Sequence, residues 1–89
     1  MSPEHYALIY TPTAARQIGK LPPLIQRRVL AALEELRADP RRPGVKAVKG
    51  PDGGLRLRVG DYRVLYDVDD RAGRVFVRKV GHRREVYDR

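Results

Sequence analysis

Residues 55–67 read Leu-Arg-Leu-Arg-Val-Gly-Asp-Tyr-Arg-Val-Leu-Tyr-Asp, and this stretch decides the fold. Apolar and basic residues alternate up to Val59, which is the pattern of a half-buried β-strand. Gly60-Asp61 then stands where a two-residue hairpin turn belongs, and glycine supplies the positive φ that such a turn requires. The stretch predicts a β-hairpin in which Val59 pairs with Tyr62. The further pairs in this register are Arg58 with Arg63, Leu57 with Val64, Arg56 with Leu65 and Leu55 with Tyr66.

The two faces of this hairpin differ in chemistry. Arg58 is predicted directly opposite Arg63, and a like-charge pair in that position destabilises a sheet. The cluster therefore indicates a site for an anion such as phosphate, and a solvated basic face is the alternative; a one-residue slip would exchange the faces. The predicted core face holds Leu55, Leu57, Val59, Tyr62, Val64 and Tyr66. The predicted basic face holds Arg56, Arg58 and Arg63.

Length and composition indicate one small domain with an affinity for polyanions. The chain has 89 residues, so we expect a single domain over residues 1–89. Its 19 Lys plus Arg exceed its 11 Asp plus Glu by a net charge of +8, which favours nucleic acid, the ribosome or an acidic protein as partner. Without cysteine, membrane-spanning run or signal-peptide core, the sequence predicts a cytoplasmic location and no membrane partner.

Three segments before the hairpin have clear preferences. Residues 6–10 are predicted to form a strand, buried on both faces or central in the sheet because few of them are polar. Residues 12–20 and 23–38 are predicted helices, the first beginning at the start signal Thr11-Pro12. Their apolar residues recur at helical spacing, so the two helices should form a hairpin with one shared apolar face.

A basic connector follows the helices. Residues 41–54 are rich in Gly and Pro and should be irregular, with Lys46 and Lys49 either contacting RNA or simply exposed to solvent. Together with a final strand, these elements predict an α+β fold. It has an N-terminal strand, a helical hairpin and a three-strand antiparallel meander, giving a four-stranded, mostly antiparallel sheet with both helices packed on one face.

The final strand is predicted over residues 74–81. If Val68 pairs with Arg74, Arg78 falls on the core side, and we expect it near an edge with its charged head in water. That register places Phe76 and Val80 in the core. It places Val75, Val77, Lys79, Gly81 and Arg83 on the side of the hairpin arginines.

A basic face of this kind is suited to phosphodiester chemistry. Arginine forks bind phosphate oxygens in a bidentate manner and can stabilise the charge of a pentacovalent transition state. Tyr87 near the same edge could stack on a base or share in proton transfer. The sequence has no carboxylate pair, Ser-His-Asp set or Gly-rich nucleotide loop, and two His without Cys make no convincing metal site, so we expect neither metal nor cofactor.

Residues 56–66, Arg-Leu-Arg-Val-Gly-Asp-Tyr-Arg-Val-Leu-Tyr, and residues 80–87, Val-Gly-His-Arg-Arg-Glu-Val-Tyr, resemble the RelE branch of the RelE/ParE toxin superfamily. The order of elements resembles that family over nearly the whole chain. The resemblance implies a bacterial type II toxin that cleaves mRNA in the ribosomal A site by attack of the 2′-hydroxyl on the adjacent phosphate. It also implies an acidic, RelB-like antitoxin that neutralises the toxin and brings it to operator DNA.

The resemblance assigns working roles to Arg56, Arg58, Arg63, Arg83 and Tyr87, of which the hairpin argument had reached the first three independently. Lys46, Lys49, Lys79 and Arg84 are the further residues expected to bind RNA or phosphate. Members with lysines on the second strand can use one as a general base, whereas arginine stays protonated. Another base is therefore needed, and the candidates are His82, since histidine titrates near about pH 6.5, and Tyr87. For His82 the alternative is a strand-end residue bonded to backbone.

Two further functions compete with the endoribonuclease. One is a ParE-like toxin that poisons DNA gyrase without nuclease chemistry, although the RNA-cleaving positions Arg63, Arg83 and Tyr87 speak against it. The other is a catalytically impaired binding member of the superfamily, which the arginines in place of lysines keep open.

Overall fold

The structure, a computed structural model, describes residues 5–50 and 53–84. Its strands form one mixed sheet in the order β1-β5-β4-β3-β2. They are β1 Ala7–Tyr10, β2 Lys46–Ala47, β3 Leu55–Val59, β4 Tyr62–Asp69 and β5 Arg74–His82, and the helices are α1 Pro12–Gly19 and α2 Pro23–Ala38. The predicted α+β class, the order of elements and both helices are confirmed. The predicted four-stranded sheet gains a fifth strand, β2, from the connector.

The β3–β4 hairpin has the register that the alternation predicts. Val59 pairs with Tyr62, Arg58 with Arg63 and Leu55 with Tyr66. Gly60 in the turn has φ +59°, a conformation that glycine adopts without steric cost. The like-charge arginine pair is therefore a feature of the folded protein.

The predicted register between β4 and β5 is wrong. Asp69, not Val68, pairs with Arg74, and the register shifts again between Leu65 and Tyr66. The shift is a β-bulge in which Arg78 is the inserted residue. Val75, Val77 and Val80 are all buried in the core as a result, whereas Phe76 is only half-buried and lies opposite Asp67. The prediction assumed strict alternation, which cannot bury all three valines.

Strand β1 lies at the edge of the sheet, so the prediction of a central or doubly buried strand is wrong. It pairs with β5 alone, in parallel, from Ala7 opposite Arg74 to Tyr10 opposite Val77. Ile9 is 41% exposed and Tyr10 is 37% exposed. A short apolar run does not by itself distinguish an edge strand from a central one.

The helices pack on one face of the sheet, as predicted, and their inward residues build the core. Thr11 caps α1 by accepting a hydrogen bond from the Ala14 backbone N–H at 3.0 Å, with Pro12 in the first turn. The main cluster joins Ala14 and Ile18 of α1, Val29, Leu33 and Leu36 of α2, and Leu57, Val64, Tyr66, Val75, Val77 and Val80 of the sheet. Neither helix has the length and apolar character that a membrane crossing needs.

The connector begins with two tight attachments to the sheet. The buried Tyr66 hydroxyl donates to the Pro40 carbonyl oxygen at 2.6 Å. Arg41 binds both carboxylate oxygens of Asp70 at 3.0 Å, and the Tyr6 hydroxyl donates to the same carboxylate at 2.6 Å. These bonds fix the start of the segment that carries Lys46 to the sheet.

Candidate nucleic-acid interface

The sheet face away from the helices carries two rows of basic residues. Because paired residues share a face, the register defines the rows directly. One row runs across β2, β3, β4 and β5 as Lys46, Arg56, Leu65 and Lys79. The next row runs across β3, β4 and β5 as Arg58, Arg63 and Gly81. We call these two rows the basic face.

The spacing of the rows follows from sheet geometry. Neighbouring strands lie about 4.8 Å apart, so the first row spans roughly 14 Å from Lys46 to Lys79. The two rows are two residues apart along each strand, or roughly 6.7 Å. The face therefore presents a patch of positive charge two residues deep and four strands wide, the size of a short stretch of single-stranded nucleic acid.

The turn between β3 and β4 binds Arg58 and Arg83 at one end of the basic face. The Arg58 Nε donates to the Gly60 carbonyl oxygen at 3.0 Å, which curls this exposed side chain towards the turn. The Arg83 backbone N–H donates to the Asp61 carbonyl oxygen at 2.8 Å. Arg83, also exposed, is thereby held beside the same turn. Three of the predicted arginines, Arg58, Arg63 and Arg83, are therefore brought together.

The opposite end of the basic face is closed by an ion pair. Arg78 Nε lies 3.1 Å from an Asp67 carboxylate oxygen, and its Nη2 donates to the Gly53 carbonyl oxygen at 2.9 Å. Gly54 has φ +88°, and a Cβ there would stand 2.6 Å from Arg78 and 2.7 Å from Asp67. The expected place of Arg78 on the core side is therefore wrong, because the bulge turns it towards Asp67. The pair also neutralises an acid that would oppose an anion on this face.

Small and apolar residues form the floor between the basic side chains. Leu65 is 8% exposed and lies outside the main core cluster, and Gly81 beside Arg63 is buried and adds no side chain. Val75 and Val77 were expected on this face but are fully buried in the core. Leu65 thus lies between Arg56 and Lys79, and Gly81 lies beside Arg63.

His82 lies on the other side of the sheet. It pairs with Tyr62, on the face of Val64 and Val80, and the two rings meet edge to face with centroids 5.4 Å apart. Its Nδ1 accepts a hydrogen bond from the Arg84 backbone N–H at 3.3 Å. The structure thus separates His82 from the two rows, and its role as a base stays a prediction.

The remaining predicted residues have mixed placements. Lys46 and Lys79 stand in the first row and are exposed. Lys49 is exposed in the connector beyond β2, and Arg84 is exposed after β5. Tyr87 lies outside the described residues.

Lys46 was predicted to lie in an irregular connector, but it lies on strand β2. The pattern Val45-Lys46-Ala47-Val48 alternates in part, and Val45 packs against the core while Lys46 pairs with Arg56. That alternation is the signal that could have placed Lys46 on the basic face.

A groove of about 790 Å³ lies on the helix side of the sheet edge, not on the basic face. It separates α2 from the hairpin turn and shares Arg58 and Gly60 with the end of the basic face. Arg42 on its rim is ion-paired with Glu35. Across residues 5–50 and 53–84, no three His, Asp or Glu side chains gather as metal ligands.

Known proteins are similar to this chain in both sequence and fold. Residues 8–87 match the family model described as the ParE toxin of the type II toxin–antitoxin system parDE. Toxin RelG of Mycobacterium tuberculosis is 36% identical over 85 residues, covering 94% of this chain and 98% of that protein. A chain of the toxin–antitoxin complex RelBE2 from the same species is similar with a TM-score of 0.78 and 35% identity, covering 88% of this chain and 98% of that chain. A chain of the archaeal RelE–RelB complex from Pyrococcus horikoshii is similar with a TM-score of 0.78 and 25% identity, covering 92% of this chain and 99% of that chain.

Proposed function

This chain belongs to the RelE/ParE superfamily of toxins of type II toxin–antitoxin systems, and we propose that it is a ribosome-dependent endoribonuclease that cleaves mRNA in the A site. The observation that carries the proposal is the pairing of Arg58 with Arg63 beside the turn that also holds Arg83. Arginine forks bind phosphate oxygens in a bidentate manner, so three arginines gathered at one turn are suited to hold one phosphate group.

In the proposed reaction the arginines act on the scissile phosphate. The 2′-hydroxyl oxygen gives up its proton and attacks the adjacent phosphorus, and the bond to the 5′-oxygen breaks. The departing 5′-oxygen takes a proton from water, so the products are a 2′,3′-cyclic phosphate and a 5′-hydroxyl. Arg58, Arg63 and Arg83 bind the non-bridging oxygens and stabilise the extra negative charge of the pentacovalent transition state. Arg56, Lys46 and Lys79 hold the neighbouring phosphates in the other row.

A proton acceptor for the 2′-hydroxyl completes the reaction, and it is either His82 or Tyr87. The ring of His82 meets the substrate only if the RNA bends around the end of the sheet at the turn, because His82 shares the face of Tyr62. His82→Gln and Tyr87→Phe separate the two. Loss of cleavage with retained ribosome binding identifies the base, and full activity of a variant removes its residue from the reaction.

The proposed partner is an acidic, RelB-like antitoxin. The net charge of +8 favours an acidic chain, and solved relatives from M. tuberculosis and P. horikoshii are complexes of toxin with antitoxin. We propose that the antitoxin blocks access of mRNA and that the complex binds operator DNA through the antitoxin.

Gyrase poisoning is the second candidate, and the match to a ParE family model is the observation that favours it. A gyrase poison needs no cluster that neutralises a phosphate on a sheet face. It would produce DNA damage while leaving mRNA intact.

Induced expression in a bacterial host separates these functions. Wild type, Arg83→Ala and the matched control Arg71→Ala are compared for protein synthesis, DNA damage and cleavage of a reporter mRNA. Arg71 and Arg83 are both exposed, and they lie at opposite ends of β5. We expect wild type and Arg71→Ala to block translation and cleave mRNA, and Arg83→Ala to do neither. DNA damage without mRNA cleavage would replace the proposal with gyrase poisoning.

A further inference from the structure

The edge of β5 is partly bordered by a helix instead of a strand. Strand β1 ends at Tyr10, opposite Val77, while β5 continues to His82. Beyond that point, α1 and its cap supply the hydrogen bonds that a neighbouring strand would give. The Thr11 backbone N–H donates to the Val77 carbonyl oxygen at 3.0 Å.

Two side chains extend these bonds over the bulge. The Thr11 hydroxyl donates to the Arg78 carbonyl oxygen at 2.9 Å. The Gln17 Oε1 accepts the Val80 backbone N–H at 2.7 Å. One bond precedes Lys79 and the other follows it, so the backbone before this lysine is tied to the cap of α1 and the backbone after it to the last turn of α1.

The bulge decides which side of the sheet Lys79 occupies. In a regular strand, residues 75, 77 and 79 share a face, so Lys79 would point into the core that holds Val75 and Val77. The inserted Arg78 reverses the alternation, and Lys79 instead pairs with Leu65 on the basic face. The same reversal places Gly81 beside Arg63.

We propose that Gln17, assisted by Thr11, is a positioning residue of the basic face. It holds the bulged segment in the register that presents Lys79 to a phosphate and sets Gly81 opposite Arg63. The effect on RNA cleavage rests on the proposed function, whereas the effect on the backbone can be measured independently of it.

Gln26 provides a matched control. Like Gln17 it is half-buried, but its Nε2 donates to the Ile18 carbonyl oxygen at 3.0 Å, a bond that joins α2 to α1 and not α1 to β5. Gln17→Met and Gln26→Met each replace a side-chain amide by a group of similar length with little capacity to accept or donate. Gln17→Glu keeps the acceptor. Gln17→Asn keeps the amide but shortens the reach, and it serves if Gln17→Met does not fold.

Amide hydrogen exchange and cleavage kinetics test the proposal on the full chain. In Gln17→Met we expect exchange at the Val80 amide to rise about five- to tenfold, as loss of one hydrogen bond of average strength predicts. We expect kcat/KM for cleavage of ribosome-bound mRNA to fall about 10- to 100-fold from the misplacement of Lys79. Gln17→Glu should restore both, and Gln26→Met should change neither. Thermal melts ensure that all variants are folded at the assay temperature.

The outcomes separate the inference from the function. If wild type cleaves mRNA and Gln17→Met cleaves equally well, or if the Val80 amide stays protected in that variant, the positioning role is wrong. If Gln26→Met loses as much activity as Gln17→Met, general destabilisation explains the loss and the positioning role is again wrong. If wild type itself does not cleave, the proposed function fails, and faster Val80 exchange confined to Gln17→Met still supports the role of Gln17 in holding the bulge.

Discussion

Removing one lysine from the basic face should reduce the salt dependence of RNA binding by a definite amount. The two rows contain five strand-borne cations, Lys46, Arg56, Arg58, Arg63 and Lys79. Binding to a single strand weakens with salt by a slope of about −0.7 in log–log form for each phosphate neutralised. Arg58 and Arg63 share the scissile phosphate, so the five cations neutralise about four phosphates and give a slope of about −2.8. Lys79→Ala should reduce the slope to about −2.1.

The size of this effect suits a direct measurement. Between about 50 and 200 mM salt, wild type should lose roughly 50-fold in affinity and Lys79→Ala roughly 20-fold. The assay is fluorescence anisotropy with a short, fully 2′-O-methylated RNA, which cannot supply the attacking hydroxyl. Lys20→Ala is the control, since Lys20 is exposed at the end of α1 on the helix side of the sheet.

Two results would show that the two rows do not bind RNA phosphates as proposed. An unchanged slope for Lys79→Ala would mean that this lysine contacts no phosphate. An equal reduction for Lys20→Ala would mean that total charge, not the arrangement of the two rows, attracts RNA.

Three further predictions concern the supports of the face. Tyr66→Phe leaves the buried Pro40 carbonyl oxygen unpaired and should cost about 1–3 kcal/mol in urea unfolding at pH 7. Burial raises the pKa of Tyr66, so the stability of the wild type should fall above about pH 10, where the tyrosine of the unfolded chain ionises. The difference in free energy of unfolding between wild type and Tyr66→Phe should therefore narrow above that pH, and a constant difference would contradict this prediction. Hydrogen bonds from Arg41 and then Tyr6 hold the pKa of Asp70 below its usual value, so this carboxylate stabilises the fold above about pH 4 and loses that effect as the pH falls. Asp70→Asn should therefore be less stable than wild type at pH 7. If the difference in free energy of unfolding between the two proteins stays constant down to about pH 2.5, folding is not linked to protonation of Asp70. Gly54→Ala should destabilise by more than about 1 kcal/mol in the same unfolding assay, because φ is positive and its Cβ would meet three neighbours, and wild-type stability would contradict the close packing.

Local patterns were enough to predict the hairpin and the helices. The alternation of residues 55–59 and the Gly60-Asp61 turn fix the pairing of Arg58 with Arg63, because register follows from the turn and from the need to bury one face. The periodicity of α2 likewise gives its buried stripe, and Pro23 and Asp39-Pro40 mark its two ends.

The errors arose where tertiary contacts override strict alternation. The spacing of Val75, Val77 and Val80 is compatible with one buried face only if an extra residue is inserted, and the bonds from Thr11 and Gln17 that accompany the insertion come from a distant part of the sequence. The predicted register already put Gly81 and Arg83 on the side of the arginines, and His82 between them accordingly lies on the other face. The sequence therefore predicted that Arg56, Arg63 and Lys79 share a face, and it mistook the register that places Lys79 there.

Primer extension on a defined mRNA held on purified ribosomes is the most direct test of whether this chain cleaves mRNA in the A site. Wild type, Arg83→Ala and Arg71→Ala are assayed side by side, with circular dichroism to verify that each variant is folded. The account predicts cleavage at the A-site codon by wild type and Arg71→Ala, with a 2′,3′-cyclic phosphate at the new end, and a loss of about 100-fold or more for Arg83→Ala. Intact mRNA with folded wild-type protein, or full activity of Arg83→Ala, would contradict the account.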